Sequence, residues 1–457
     1  MSRPHVVVIG GGFGGLAAAR GLAHAPVNVT LIDRRNHHLF QPLLYQVATA
    51  ALNPSDIAYP IRAALAHQRN ARVLLAAATA IDVAQRRVIL DDGALEYDYL
   101  VVATGATHSY FGHDDWAKNA PGLKSVEDAL EIRRRIFLAY EAAERESDPA
   151  LQREWLTFAV VGAGPTGVEL AGALGEIGLH TLAKDFRSID PTEVRVVLFE
   201  GKDRVLGTYP AKLSAAAKKS LEARHVDVRL NTLVTSIDDR GVTVKGPSGE
   251  EHIGARTVLW AAGVAASPLA RCLGAPLDRS GRVVVEPDLS IPGHPEVFVV
   301  GDLAKMISEG KEVPGVAQGA LQGGRHVAKI ILDAPRGRAD RPAFRYHDKG
   351  NMATIGRAEA VIETKHVARH GFIAWMIWWV IHIFFLVGFR NRVFMMFHWA
   401  WSWLTYKRGS RLITGEVGDL PRVRTIAADG TVSLPPAGAQ ISIDPESATT
   451  RAREHVQ

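Results

Sequence analysis

His5-Val-Val-Val-Ile-Gly-Gly-Gly-Phe-Gly-Gly-Leu-Ala-Ala-Ala-Arg20 decides how the rest of the chain is read. An apolar run, Val6–Ile9, meets a glycine cluster, and an alanine-rich segment follows. The pattern predicts a buried strand, a tight turn and the start of a helix. Gly10, Gly12 and Gly15 fit G-x-G-x-x-G. In that motif the first glycine makes the turn, the second lets backbone approach a diphosphate, and the third packs the helix on the strand. Phe13 and Gly14 complete the loop. The helix start then offers free N–H groups and a positive dipole end to phosphate. A second strand, Val27–Ile32, ends in Asp33-Arg34, which puts an acid where a ribose hydroxyl needs an acceptor. These signals together predict a dinucleotide site.

The same pattern returns further on. Phe158–Val161 is a strand, Gly162-Ala-Gly-Pro-Thr-Gly167 is the turn, and Val168–Leu174 is the helix. Gly162, Gly164 and Gly167 take the motif positions, with Pro165 and Thr166 between them. The next strand, Arg195–Phe199, ends in Glu200. This acid lies further from its loop than the usual ~20 residues, and 180–191 reads as the insertion that absorbs the difference. Other expected strands include Val73–Val83, Arg87–Leu90, Tyr99–Ala103 ending in Thr104-Gly105, and Val258–Ala261 ending in Ala262-Gly263. Helical spacing over 122–148 predicts a helix with a solvated face, ended by Pro149. The aromatic segment His37–Leu52 has no clean period and is expected to lie over a ligand without regular structure. After Pro276 the chain returns to its first sheet through Val297–Val300, Gly301-Asp302 and a helix over Val316–Ile331.

The fold class read from this order is α/β: two Rossmann-like dinucleotide-binding domains, the second inserted in the first, plus a C-terminal membrane-associating helical segment. The divisions are 1–115 and 276–345 for the first dinucleotide-binding domain, 116–275 for the inserted second one, 346–412 for strands and anchoring helices, and 413–457 for a flexible tail. That tail turns to Pro, Ala, Gly, Ser and charge, a composition that orders poorly.

Composition narrows the classes. The chain has 457 residues, 47% of them hydrophobic, enough for two to three domains with large cores. A net charge of +5 suits anionic cofactors or an anionic lipid surface, and no nucleic-acid motif accompanies it. The single cysteine, Cys272, rules out both an intrachain disulfide and a redox-active cysteine pair. No metal-ligand spacing is present; the isolated His382 and His398 fit an interfacial helix better than a haem. A first strand beginning by residue 5 leaves no room ahead of it for a signal peptide, which predicts a cytoplasmic body.

Residues 371–389 hold no Asp, Glu, Lys or Arg, and six of the nine tryptophans fall between 375 and 403. As one helix this stretch would be roughly 28 Å long, near a bilayer core. The following uncharged run, Val393–Tyr406, is too short to return across it. Clustered Trp with Arg390, Arg392, Lys407, Arg408 and Arg411 favours two helices in the membrane surface. A true span by 371–389 and a buried dimer interface are the other readings, and an aromatic surface of this size also fits a homodimer.

The paired glycine loops, Ala103-Thr-Gly105 and Val300-Gly-Asp302 resemble the FAD-dependent pyridine-nucleotide-disulfide reductase superfamily. Three strings narrow the resemblance: FQPLLYQVATAAL at 40–52, AQGALQGG at 317–324 and DKGNMATIGR at 348–357, ahead of an aromatic C-terminus. Together they are similar to the type II NADH:quinone oxidoreductases over residues 4–413. The absence of cysteine near the flavin argues against the disulfide, sulfide and peroxide chemistries of the superfamily. The resemblance implies bound FAD at the Gly10 loop with Thr104, Gly105 and Asp302, NADH at the Gly162 loop with Gly263, and a membrane quinone as acceptor at the cytoplasmic face, without proton pumping.

Several roles follow; the plainer ones are an exposed strand-end acid for Glu200, an ordinary polar helix face for Gln318 and Gln322, and those named below for Asp302 and Glu169. Asp302 contacts the FAD ribityl–phosphate region, or is simply a helix N-cap. Glu200 takes the adenosine 2′-hydroxyl and so favours NADH over NADPH, with Lys202 and Arg204 nearby weakening the argument. Glu169 sits among apolar neighbours one turn into its helix, where its pKa should rise. It either delivers a proton to reduced quinone, helps seat the nicotinamide, or only complements the helix dipole. Gln318 and Gln322 share one helix face, and the resemblance puts the quinone pocket there. Lys349 is a candidate gate. The rival functions are an NAD(P)H-dependent ferredoxin or rubredoxin reductase, and a membrane-bound flavin/NADH sensor without turnover.

Overall fold

The computed structural model describes residues 3–334, 341–387, 396, 410–414, 425–426 and 432–433. Its first sheet has six strands, in the order Ser290–Ile291, His294–Val299, Tyr99–Val102, His5–Ile9, Asn28–Asp33 and Ala71–Leu75. All pairings are parallel except that of the Ser290–Ile291 edge. His5–Ile9 lies in the middle, with Val6 opposite Val29 on one side and Tyr99 on the other. Its valines are fully buried, as expected for a strand covered on both faces.

The second sheet orders Val226–Arg229, Arg195–Phe199, Thr157–Val161 and Thr257–Trp260, all parallel. In both sheets the strand leading into a glycine loop has the acid-ending strand on one side. On the other side lies the strand ending in Thr104-Gly105 or Ala262-Gly263. Each loop therefore sits at the strand ends, where such sheets bind ligands. The chain leaves the first sheet after Val102, builds the second, and returns at Ser290. The outgoing strand Ala106–His108 pairs antiparallel with the returning strand Val264–Ala266.

The helix Phe13–Gly21 packs on the helix Ala317–Asp333 at glycine distance. A Cβ on Gly324 would strike the Gly14 carbonyl oxygen. A second close contact fixes the site. A Cβ on Gly172, in the helix Pro165–Glu176, would strike the carbonyl oxygen of Ile355 in the strand Asn351–Gly356. That strand belongs to a three-stranded antiparallel sheet with Glu359–Glu363 and Ala368–Gly371.

Several expectations need correction. The segment 37–52 is regular in short pieces: strand His37–Leu39, a 3₁₀ turn and the helix Leu44–Ala48. Leu43, Leu44 and Val47 are buried in the core shared by the helices Val126–Arg145 and Pro165–Glu176. Val73–Val83 is two strands. Ala71–Leu75 stays in the parallel sheet, and Ala78–Asp82 turns away to pair antiparallel with Arg87–Leu90. Pro149 does not end the long helix. It is the first residue of the next one, Pro149–Trp155, capped by Asp148, because proline's missing N–H costs nothing there.

The C-terminal helix is Phe372–Phe385, and Leu386 already has extended backbone. At roughly 21 Å it is shorter than the 371–389 run suggested. No helix among the described residues is long and apolar enough to cross a membrane. Ala374 and Trp378 face the protein, while Phe372, Ile373, Val380 and Phe384 are exposed. His382 is not an interfacial residue. Its ring stacks on Trp378 at 4.3 Å, abuts Phe40 at 6.1 Å, and bonds the Trp378 carbonyl through Nδ1. Burial holds its pKa down at about 4, so it is uncharged. The expected second helix with Trp399, Trp401, Trp403, His398, Arg390, Arg392, Lys407 and Arg408 lies outside the described residues, as does nearly all of the tail.

Candidate active site

The two glycine loops have the same local geometry. Gly10 has φ +102° and Gly162 φ +98°, left-handed values that favour glycine. Each would bring a Cβ into the strand end beside it, at Ala103 or at Ala261-Ala262. Gly15 and Gly167 would each drive a Cβ into the carbonyl of the loop's first glycine. Nothing lies within 4 Å of a Cβ built on Gly12 or Gly164, which are the N-caps of the two helices, and neither helix has a side-chain cap. The turns are thus built so that open space faces the uncapped N–H groups.

Each acid locks its loop. Asp33 Oδ2 accepts from Gly11 N–H at 2.6 Å and Oδ1 from Arg35 N–H at 2.7 Å. Glu200 Oε2 accepts from Ala163 N–H at 2.8 Å and Oε1 from Lys202 N–H at 3.0 Å. A carboxylate has about four lone-pair sites, so capacity remains in each for a ribose hydroxyl. Arg34 is exposed, whereas Arg35 pairs with Glu127. Arg204 faces Asp203 through two bonds of 3.1 Å, which offsets much of the positive charge near Glu200.

The first loop fits an FAD-sized ligand on observations of this structure. Beside open Gly12 stand Gly105, with open space at its Cβ position, and Thr104, whose buried Oγ1 has no hydrogen-bond partner. Buried His38 bonds the Gly11 carbonyl through Nδ1 at 2.9 Å, which leaves its Nε2 unpartnered, and its ring meets Phe13 at 5.0 Å. Asp302 is not the helix cap. The N-cap of Ala317–Asp333 is Val316, without a side-chain bond, and the Asp302 carboxylate faces Gly315 in the turn before it.

Glu169 and Gln318 are tied to one segment. Gln318 donates Nε2–H to the Gly350 carbonyl at 3.1 Å, and its buried Oε1 has no partner. Glu169 Oε1 accepts a long bond, 3.4 Å, from Thr354 N–H. Burial pushes the Glu169 carboxyl up to about 8, and that single long bond lowers it only in part. Thr354 Oγ1 bonds buried Tyr45 at 2.8 Å, and the Tyr45 oxygen accepts from Gln46 at 2.9 Å. Gln322 spends both ends of its amide on the His347 backbone, so here it holds the loop. Lys349 is exposed, with Nζ 5.7 Å from the centre of the Phe385 ring.

A cavity of about 130 Å³ opens on the other side of Glu169. Thr166, Gly263, Trp260, Tyr45 and Lys124 line it with Glu169, and the Gln41 side chain, also lining it, reaches across to the Lys124 carbonyl at 3.1 Å. Glu169 therefore stands between this cavity and the segment that holds Gln318. Tyr45, Thr354 and His38 were not singled out in the sequence. Tyr45 and Thr354 are 309 positions apart, and no periodicity links them.

The fold and the paired loops define a flavin-type dinucleotide oxidoreductase. The model of the pyridine nucleotide-disulphide oxidoreductase family matches residues 4–324, and the chain belongs to that family. It is similar to the type II NADH:quinone oxidoreductases Ndh and NdhA of Mycobacterium tuberculosis. Ndh is 48% identical over 425 residues, covering 91% of each chain. NdhA is 47% identical over 428 residues, covering 91% of this chain and 90% of its own. The solved NDH2 of Plasmodium falciparum in complex with NADH has the same fold, with a TM-score of 0.81 at 19% identity over 90% of this chain and all of its own. Within the family the chain is a type II NADH:quinone oxidoreductase, an enzyme that passes electrons from NADH to quinone.

A raised carboxyl pKa makes stability depend on pH. Glu169 is about 8 in the folded chain and near 4.5 unfolded. Its contribution is intact below pH 4.5 and is lost as pH rises to about 8, by up to ~1.4 kcal/mol per unit. Denaturation of wild type and Glu169→Gln at pH 5, 6.5 and 8 should show the variant gaining on wild type as pH rises. A constant difference would place the Glu169 pKa near its ordinary value.

Proposed function

We propose that the Gly10 loop, with Asp33, Thr104, Gly105 and Asp302, holds FAD, and that the Gly162 loop, with Glu200 and Gly263, takes NADH. Bound FAD supplies a two-electron acceptor that receives hydride from NADH and returns electrons to quinone. The observation that carries the reading is the segment Gly350–Thr354. It touches Gln318 at one end and Glu169 at the other, roughly 13 Å apart at strand rise. The cavity on the Gly263 side of Glu169 receives the nicotinamide, and the Gln318 side receives the quinone.

The side chains then have separate tasks. Gln318 turns its unpartnered Oε1 toward ligand while its amide N–H stays on Gly350. Glu169 is protonated over much of the neutral range, so it can hand a proton to a reduced quinone oxygen and recover one from solvent. Glu200 excludes a 2′-phosphate by like charge. Gln322 keeps the 347–350 loop against the Gln318 helix, and Lys349 stands at the entrance beside Phe385.

The helix Phe372–Phe385 rests on the cytoplasmic membrane surface. The exposed Phe372, Ile373, Val380 and Phe384 form an apolar face beside the quinone entrance, and a lipid-soluble substrate arrives from the bilayer. No charge path across a membrane is needed, so the reaction runs without pumping.

Two measurements test the reading. Gln318→Ala should raise KM for a short-chain quinone about tenfold, the worth of one or two hydrogen bonds, and leave KM for NADH within twofold. Equal changes in both constants would remove Gln318 from the quinone side. In flotation with anionic vesicles the full chain should rise with lipid, and Phe372→Glu/Ile373→Glu/Phe384→Glu should stay at the bottom. Co-flotation of the triple variant would overturn the membrane face.

A further inference from the structure

Phe111 lies in the link that carries the chain out toward the second sheet. Its backbone has φ +55°, and Gly112 follows at φ +95°. The His113 N–H closes the turn on the Tyr110 carbonyl at 3.1 Å. Two successive left-handed residues closed in this way have the signs of a type I′ turn. Its first central position belongs by preference to Asn, Asp or Gly. A bulky aromatic residue there stores backbone strain. Burial does not repay it, because Phe111 is 67% exposed.

The ring is nonetheless held in place. It meets Trp260 edge-on at 6.1 Å and lies against Gly263, where a Cβ would come within 2.6 Å of the ring Cζ. The preceding residue pair is pinned to the same strand end. Ser109 N–H donates to the Gly263 carbonyl at 3.1 Å, and Trp260 Nε1–H donates to the Ser109 carbonyl at 2.9 Å. Tyr110 stacks on Trp260 at 5.0 Å. Trp260 and Gly263 both line the cavity beside Glu169. Val264, on the far side of Gly263, lines it as well and is 52% exposed. A strained, solvent-facing aromatic ring and an exposed valine thus flank the one backbone position without a side chain at the cavity rim.

We propose that Phe111 is a specificity and positioning residue for the nucleotide: its ring packs on the nicotinamide riboside half of NADH where that half passes Gly263 into the cavity. The inference rests on the assignment of NADH to the Gly162 loop. The bare Gly263 lets the Phe111 ring seat against the strand end at the cavity rim, the Ser109 and Trp260 bonds hold that strand end and the link together, and Val264 lies on the opposite edge. The strain is retained because a flat, weakly hydrated ring gains contact area there that no turn-forming residue offers.

The test uses the flavin-loaded full chain and three proteins: wild type, Phe111→Gly and Phe111→Tyr. Equilibrium titration measures affinity for NAD⁺ and for ADP-ribose, which lacks the nicotinamide, and thermal melting measures stability. Phe111→Gly should lose about tenfold in NAD⁺ affinity, the scale of one aromatic stacking contact, and keep its ADP-ribose affinity. Its melting temperature should hold or rise, since glycine relieves the left-handed strain. Phe111→Tyr should stay within about twofold of wild type for NAD⁺. Unchanged NAD⁺ affinity in Phe111→Gly overturns the proposal, as does an equal loss for ADP-ribose or a clear fall in melting temperature. Failure of wild type to bind NAD⁺ at all would instead overturn the assignment of the second loop.

Discussion

Two carboxylates hold two turns, and the rest of the molecule is arranged around them. Asp33 and Glu200 each accept from the N–H one residue after the first glycine of a loop, at 2.6 and 2.8 Å. Each also accepts the N–H two residues beyond itself. These charge-assisted bonds fix strand end, loop and helix start as one rigid unit. Without the lock, a glycine-rich turn would pay its full conformational entropy each time a diphosphate bound. With it, the N–H groups at Gly12 and Gly164 are held in position beforehand.

The two units cooperate because a third piece of chain is pressed between their helices. Gly172 has no side chain, so the strand Asn351–Gly356 comes into backbone contact with the second glycine helix. That approach puts Thr354 N–H on Glu169, and four residues earlier the same segment gives Gly350 to Gln318. Tyr45 secures the strand from below through Thr354 Oγ1. Glu169 and Gln318 are in this way referenced to one short segment, which the aromatic C-terminal helix covers through Trp378 and Ile383.

The parts with local signals were legible in the sequence. Both glycine loops, both acids and the central strands show in runs of apolar residues, because strands buried on two faces need no alternation. The family resemblance rests on strings spread over residues 4–413, and its conclusion agrees with the family model and the mycobacterial relatives. What the sequence hid was long-range. Tyr45 meets Thr354 across 309 positions, and the aromatic segment 37–52 hides a helix because nearly every side of it is buried, which erases the 3.6-residue period. His382 misled for the same reason: an apolar helix of this composition does not show which side meets protein. Phe111 carried no signal at all, since its interest lies in a backbone angle.

The allocation of the two loops is the centre of the account, and one pair of variants tests it. Gly12 and Gly164 both have open space at the Cβ position, so valine at either should leave the protein folded while filling the space that a diphosphate would need. Absorbance spectra of the two purified variants, before and after NADH, give the answer. Gly12→Val should be folded and colourless. Gly164→Val should be yellow, and micromolar NADH should fail to bleach it. A yellow, NADH-bleachable Gly12→Val paired with a flavin-free Gly164→Val would contradict the account.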